Sequence, residues 1–237
     1  MTATIVLVHG TWHGGGCWRK VKPLLQKAGH IVLSPSLMGM GEHIQMLNPQ
    51  IDLQLHIQNL VLLLEYEDLQ DVVLVGHSYA GMVITGAVDY ACDRLAQLVY
   101  LDAFLPEPGK CLKDYADNPG LDELVQTQGD GWLLPWKAMF EVEHLGVTNP
   151  EDIAWMTTRL CDQPYATVTQ PVQFSEETIA TLPRTFISTS SIPLFAAAAA
   201  RAQAQAQGFR YYELPAAGHD AMISQPQALS DILLELI

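Results

Sequence analysis

The stretch Val72-Val73-Leu74-Val75-Gly76-His77-Ser78-Tyr79-Ala80-Gly81-Met82 constrains this chain more than any other. An unbroken apolar run with no polar alternation reads as a strand buried on both faces, as in a parallel sheet covered by helices. It passes directly into a serine flanked by small residues and then into a helical pattern. Such a turn is sharp enough to hold the serine hydroxyl above the sheet edge. The first N–H groups of the following helix then face any negative charge that develops there. The second small position is Ala80, with Gly81 just behind it, and alanine still suits a tight turn.

The rest of the chain supplies the sheet that such a turn needs. Residues 4–8, 31–34, 97–101, 184–188 and 209–214 read as further strands. Residues 18–28, 53–64, 194–207 and 228–237 read as helices, with Pro193 opening the third and Gly208 ending it. Strand and helix in alternation predict an α/β fold with a mostly parallel central sheet flanked by helices. The alternation stops between Gly109 and Leu182, where helix-like pieces and turn signals carry Trp132, Trp136 and Trp155 but no clear buried strand. Residues 109–183 therefore read as a helical cap inserted after the strand that ends near Asp102, between core segments 1–108 and 184–237. The alternative is a small helical subdomain that only packs.

A length of 237 residues suits one core of this kind. The net charge of −14 repels nucleic acid and anionic membranes, so neither is expected as a partner. The N-terminus lacks a basic segment and its apolar run is too short for a secretory signal. Cys17, Cys92, Cys111 and Cys161 are scattered, with no spacing typical of zinc sites. These features predict a cytoplasmic protein with reduced thiols, no metal and no organic cofactor, either monomeric or homodimeric.

Ser78 is the expected nucleophile, and two further segments answer to it. The first strand ends in His9-Gly10-Thr11-Trp12-His13-Gly14-Gly15-Gly16. The loop lacks the lysine and spacing of a phosphate loop. It is placed instead to supply a backbone N–H from Thr11 that would pair with the N–H of Tyr79 around an oxyanion. Trp12 would line the pocket entrance, with Trp132, Trp136 and Trp155 as further substrate-contacting candidates. His219 lies in Pro215-Ala216-Ala217-Gly218-His219-Asp220, between the last strand and the last helix, where the general base belongs when the nucleophile comes first in the chain.

His9-Gly-x-x-His-Gly-Gly, Gly76-His-Ser-x-x-Gly81 and Gly218-His219-x-x-Met222 together resemble the α/β-hydrolases that include plant methylesterases, hydroxynitrile lyases and bacterial carboxylesterases. The resemblance implies that fold and serine catalysis. The lyases of the family carry a lysine after the catalytic histidine and a threonine at the position of Gly10. Asp220 and Gly10 stand there in this chain, which favours ester hydrolysis. The family's acid follows the strand before the alanine-rich helix, yet residues 185–193 hold no carboxylate. A histidine base needs an orienting acceptor, and Asp102, at the end of the strand after the nucleophile helix, is the best substitute. Haloalkane dehalogenases resemble the chain in this placement. The alternative has Asp102 capping a turn and Ser190 or water serving His219, while the side chain of Asp220 is expected to point elsewhere.

The combined expectation is a carboxylesterase acting on small to medium apolar or aromatic esters, with Ser78, His219 and Asp102 catalytic and Thr11 and Tyr79 as oxyanion donors. A hydroxynitrile lyase, an acyltransferase and a ligand receptor on a hydrolase scaffold are the alternatives.

Overall fold

The computed structural model describes residues 2–115, 118–189 and 197–237. Its centre is a six-stranded sheet built from β1 (Thr4–Val8), β2 (Ile31–Leu33), β3 (Val72–His77), β4 (Leu95–Leu101), β7 (Arg184–Thr189) and β8 (Arg210–Leu214). The strand order is β2-β1-β3-β4-β7-β8, and every pairing is parallel. Sequence order runs outward in opposite directions from the β1–β3 pair. Loops leaving these two strands therefore diverge at their C-terminal ends and open a crevice there.

The continuous apolar strands are explained by two cores, one on each face. Val6, Val8, Leu74, Leu98, Tyr100 and Phe186 point to one side, while Ile5, Leu7, Val73, Val75, Val99, Leu101 and Ile187 point to the other. Alternate residues leave opposite faces of a strand, and with both faces covered no polar alternation survives. The first face is covered by α2 (Leu53–Tyr66), α3 (Ala80–Ala91) and α8 (Ala197–Ala206). The second is covered by α1 (Lys22–Lys27), by α9 (Ala221–Ser224) and by α10 (Pro226–Glu235). Asp52 starts α2 by accepting the Leu55 N–H at 2.8 Å, a cap worth about 1 kcal/mol.

Two helix starts differ from expectation for local reasons. Trp18 closes a 3-10 turn at Gly15–Trp18, and α1 begins only at Lys22, where Pro23 fits the first turn of a helix. The last helix starts two residues early because Pro226 occupies its first position. The expected start of the alanine-rich helix at Pro193 and Leu194 lies outside the described residues, as does Ser190.

Between β4 and β7 none of the described residues joins the central sheet. The chain there forms α4 (Leu121–Gln128), α5 (Pro150–Thr157), α6 (Ala166–Thr169) and α7 (Glu176–Ile179). It also forms a small antiparallel ribbon that the sequence pattern did not reveal, β5 (Leu133–Leu134) paired with β6 (Gln163–Pro164). The segment is not separately cored: Leu121, Val125, Leu134, Val168 and Ile179 join the same cluster as β4 and α3. No helix among the described residues is long and apolar enough to cross a membrane, and all four cysteines are free.

Candidate active site

Among the residues other than glycine that hold left-handed backbone beyond the C-terminal ends of the strands are Trp12 (φ 64°), Ser78 (φ 54°) and Asp102 (φ 42°). Each such conformation costs about 1–3 kcal/mol and persists only where surrounding bonds over-determine it. For Ser78 those bonds are its N–H to the Leu101 carbonyl at 3.2 Å, and its own carbonyl accepting from Gly81 at 3.0 Å and Phe104 at 3.1 Å. The Asp102 N–H is fixed by the Ile187 carbonyl at 2.8 Å. The order Ala80-Gly81 in the turn has a steric cause. A Cβ on Gly81 would lie 2.0 Å from the Phe104 carbonyl oxygen, so glycine is needed one place later than the motif requires.

A cavity of about 80 Å³ opens at this edge and is lined by Ser78, His219 and Asp102 together with Thr11 and Trp12. His219 Nδ1 donates to Asp102 Oδ2 at 2.8 Å, and the Thr189 hydroxyl donates to the same oxygen at 2.8 Å. Arg201, on α8, approaches Asp102 Oδ1 at 3.7 Å. Burial opposes charge on His219, but its hydrogen bond to Asp102 and the charges of Asp102 and Asp220 outweigh it and raise its pKa. Burial likewise works against the Asp102 carboxylate; its bonds with His219 and Thr189 prevail and hold its pKa below the usual range. The carboxylate thus stabilises positive charge on the imidazole when the ring takes up a proton.

Of the two expected oxyanion donors, Thr11 lines the same cavity as Ser78, and Tyr79 follows Ser78 directly at the start of α3. Neither the Thr11 nor the Tyr79 N–H is taken by a backbone carbonyl among the described residues. Tyr79 anchors the start of α3 through its ring, which is buried and donates its hydroxyl to His56 Nδ1 at 2.9 Å. The Trp12 N–H is committed elsewhere, to Gln163 Oε1 at 3.3 Å.

The structure places the expected substrate-contacting tryptophans unequally. Trp12 lines the cavity, with its indole N–H donating to the Leu134 carbonyl at 3.0 Å and its ring 4.9 Å from Phe140. Trp132, Trp136 and Trp155 do not line it. Trp136 is buried in the second core, and Trp155 stacks under the Arg19 guanidinium at 4.0 Å beside a separate cleft of about 450 Å³. The apolar wall comes instead from Leu121, Leu134, Met139, Phe140, Leu145 and Val168. Short, non-periodic pieces give no phase from which the inward-facing residues could be read.

The remaining histidines near the edge are held by structure. His9 donates from Nδ1 to the Gly10 carbonyl at 2.8 Å and accepts the Leu37 N–H at Nε2, and burial lowers its pKa to about 3. His77 donates from Nε2 to the His219 carbonyl at 3.0 Å. The side chain of Asp220, expected to point elsewhere, is buried at the border of the cavity and accepts from His13 Nε2 at 2.9 Å. Nothing local signals that bond, since its partners are 207 residues apart.

The sequence matches the model of the alpha/beta hydrolase family over residues 5–232. It is 34% identical over 249 residues to the carbendazim hydrolyzing esterase of Nocardioides sp., covering 99% of each chain. It is 29% identical over 248 residues to the alpha-hydroxynitrile lyase of Arabidopsis thaliana, covering 96% of this chain and 94% of the other. A crystal structure of polyneuridine aldehyde esterase superposes with a TM-score of 0.83 at 22% identity, over 100% of this chain and 99% of that one.

Proposed function

We propose that this chain, which belongs to the alpha/beta hydrolase family, is a serine carboxylesterase that cleaves compact apolar or aromatic esters through an acyl-enzyme on Ser78. Esterases among its relatives support carboxylesterase activity in general. The finer reading rests on one observation above all, the 2.8 Å bond from His219 Nδ1 to Asp102 Oδ2 in the cavity onto which Ser78 opens.

With Nδ1–H donated to Asp102, the other imidazole nitrogen carries a lone pair. It takes the Ser78 proton as Oγ attacks the ester carbonyl. Charge then develops on the carbonyl oxygen, where the N–H groups of Thr11 and Tyr79 receive it. The imidazolium returns the proton to the leaving alcohol, and a water repeats the sequence to free the acid. The cavity's mostly apolar walls, including Trp12, Phe104 and Phe140, favour apolar or aromatic acyl or alcohol portions.

The lyase reading is weaker on electrostatic grounds. Cyanide departing from a cyanohydrin needs a cation nearby, and the residue after His219 is the buried carboxylate Asp220. The test is a panel of small methyl and aryl esters, carbendazim and mandelonitrile, run on wild type and Ser78→Ala. Ester turnover that falls at least ~10³-fold in Ser78→Ala supports the reading. Retained hydrolysis in that variant overturns it, and cyanide release faster than any ester turnover moves the chain to the lyases.

A further inference from the structure

Asp220 is a fully buried carboxylate that makes no bond to Ser78, His219 or Asp102 side chains. Its Oδ2 accepts from His13 Nε2 at 2.9 Å, and its Oδ1 lies 3.7 Å from His77 Nε2 without a hydrogen bond of its own. Its backbone N–H donates to the Leu145 carbonyl at 3.0 Å. A sealed carboxylate with one imidazole partner is costly to bury, so its placement needs a reason. His13 stands two residues after Thr11, and Asp220 directly follows His219. The His13–Asp220 bond therefore joins the loop that carries the oxyanion donor to the loop that carries the base. The nearest ligand-type atoms of Asp220, His219 and His77 also lie within 4.8 Å of one another.

We propose that Asp220 is a positioning residue for the Ser78 reaction, locking the Thr11 and His219 loops together through His13 and adding a second negative charge beside the His219 imidazole. This rests on the serine-esterase reading above. In the resting site Asp102 alone orients His219. When His219 takes the serine proton, the new positive charge has two carboxylates close by, one bonded at Nδ1 and one with an oxygen within 4.8 Å of a ring nitrogen. Fixed charge aimed at a charge that appears only during reaction stabilises the transition state more than the ground state.

The ionisable groups around this arrangement can be named on each side. His13 from the β1 loop, Cys17 from the 3-10 turn and His77 at the end of β3 face Asp220. Asp102, Asp220 and His77 face His219, whose ring centroid is 4.5 Å from that of His77. His77 is kept neutral by burial, with its pKa lowered to about 3, so it does not compensate the carboxylate at working pH.

Two variants separate the tie from the charge. Asp220→Asn keeps an oxygen for His13 and removes the charge, while His13→Ala removes the donor that makes the tie and leaves the carboxylate in place. Both are assayed for kcat and KM against pH on the best ester of the panel, alongside Ser78→Ala and thermal melting. The expected result for Asp220→Asn is a loss of roughly tenfold in kcat, little change in KM, and an acidic limb of kcat/KM moved to lower pH. For His13→Ala the expectation is a comparable loss of kcat with the limb in place. Wild-type kcat and an unmoved limb in Asp220→Asn overturn the proposal, as does wild-type kcat in His13→Ala. Should Asp220→Asn not fold, Asp220→Glu takes its place: it retains the charge, so a restored limb with reduced kcat supports the proposal and wild-type kcat overturns it. An active Ser78→Ala instead signals failure of the serine reading itself, a distinct outcome.

Discussion

Trp12 and Gln163 are 151 residues apart in the chain and meet in one hydrogen bond, from the Trp12 N–H to Gln163 Oε1 at 3.3 Å. The other end of the amide donates to the Thr167 hydroxyl at 2.7 Å, and Gln163 is 1% exposed. The Trp12 carbonyl in turn accepts from the Cys161 N–H at 2.9 Å. The left-handed turn that presents the neighbouring Thr11 N–H is thus held from the segment between β4 and β7, not from the sheet.

Gln163→Leu leaves the Trp12 N–H buried without an acceptor, which costs about 1–3 kcal/mol. The expected phenotype, if the Thr11 N–H serves the oxyanion as proposed, is a lower melting temperature together with a fall in kcat of roughly ten- to a hundredfold and an almost unchanged KM. Affinity for a tetrahedral boronate analogue should fall in step with kcat. A variant that melts lower yet keeps wild-type kcat would sink the link between this amide and the oxyanion loop.

Asp102→Asn keeps the shape but removes the charge that holds His219 Nδ1–H. Loss of kcat by about 10³–10⁴-fold is expected. The acidic limb of the residual activity should move down in pH, because the carboxylate raises the His219 pKa in the wild type. Near wild-type activity would return the role of acid to another group.

Acid should unfold the protein over a defined window. His9, His56 and His77 are held neutral by burial, with pKa values lowered from 6.5 to about 3, about 4 and about 3. Below pH 6.5 the unfolded chain binds protons at these sites that the fold does not, so stability falls as pH drops. At about 1.4 kcal/mol per proton and pH unit, three sites remove about 4 kcal/mol per pH unit between about pH 6 and 4. His219 has the opposite sign: its raised pKa adds stability below pH 6.5 that is lost as pH rises through the folded value. One site cannot offset three. Equal melting temperatures at pH 7 and pH 5 would contradict this balance.

Gly81→Ala forces a methyl to within 2.0 Å of a backbone carbonyl, so the Phe104 loop or α3 must shift. Destabilisation of about 1–3 kcal/mol is expected from such overpacking. The displacement acts on the carbonyl of Ser78, which binds both Gly81 and Phe104, so activity should fall even at temperatures where the variant is fully folded. Ala80→Gly, by contrast, should be nearly neutral for activity, and a large loss there would refute the steric account of the turn.

What could be read from the chain and what could not divide along a physical line. The strand–turn–helix around Ser78 is encoded within eleven residues, so the sheet, its parallel sense and the position of the turn follow from local pattern alone. Asp102 was visible because it sits directly at a strand end, and the structure brings it to the same cavity as Ser78 and His219. That Trp132, Trp136 and Trp155 lie off the cavity is not legible in the chain, because side-chain volume carries no direction and a turn or a two-turn helix is too short to assign one. The His13–Asp220 and Trp12–Gln163 bonds left no trace, since each pairs residues that only the assembled sheet edge brings together.

Gly146 and Gly218 touch so closely that a Cβ on either would lie 2.3 Å from the Cα of the other. One belongs to the segment between β4 and β7, and the other precedes His219. The two surfaces therefore cannot diverge independently: a side chain acquired on one side must be answered by retreat on the other. Recombination that exchanges residues 109–183 between relatives carries one half of this contact into a foreign setting. A chimera that inherits both glycines from one parent has the best prospect of keeping its histidine loop in register.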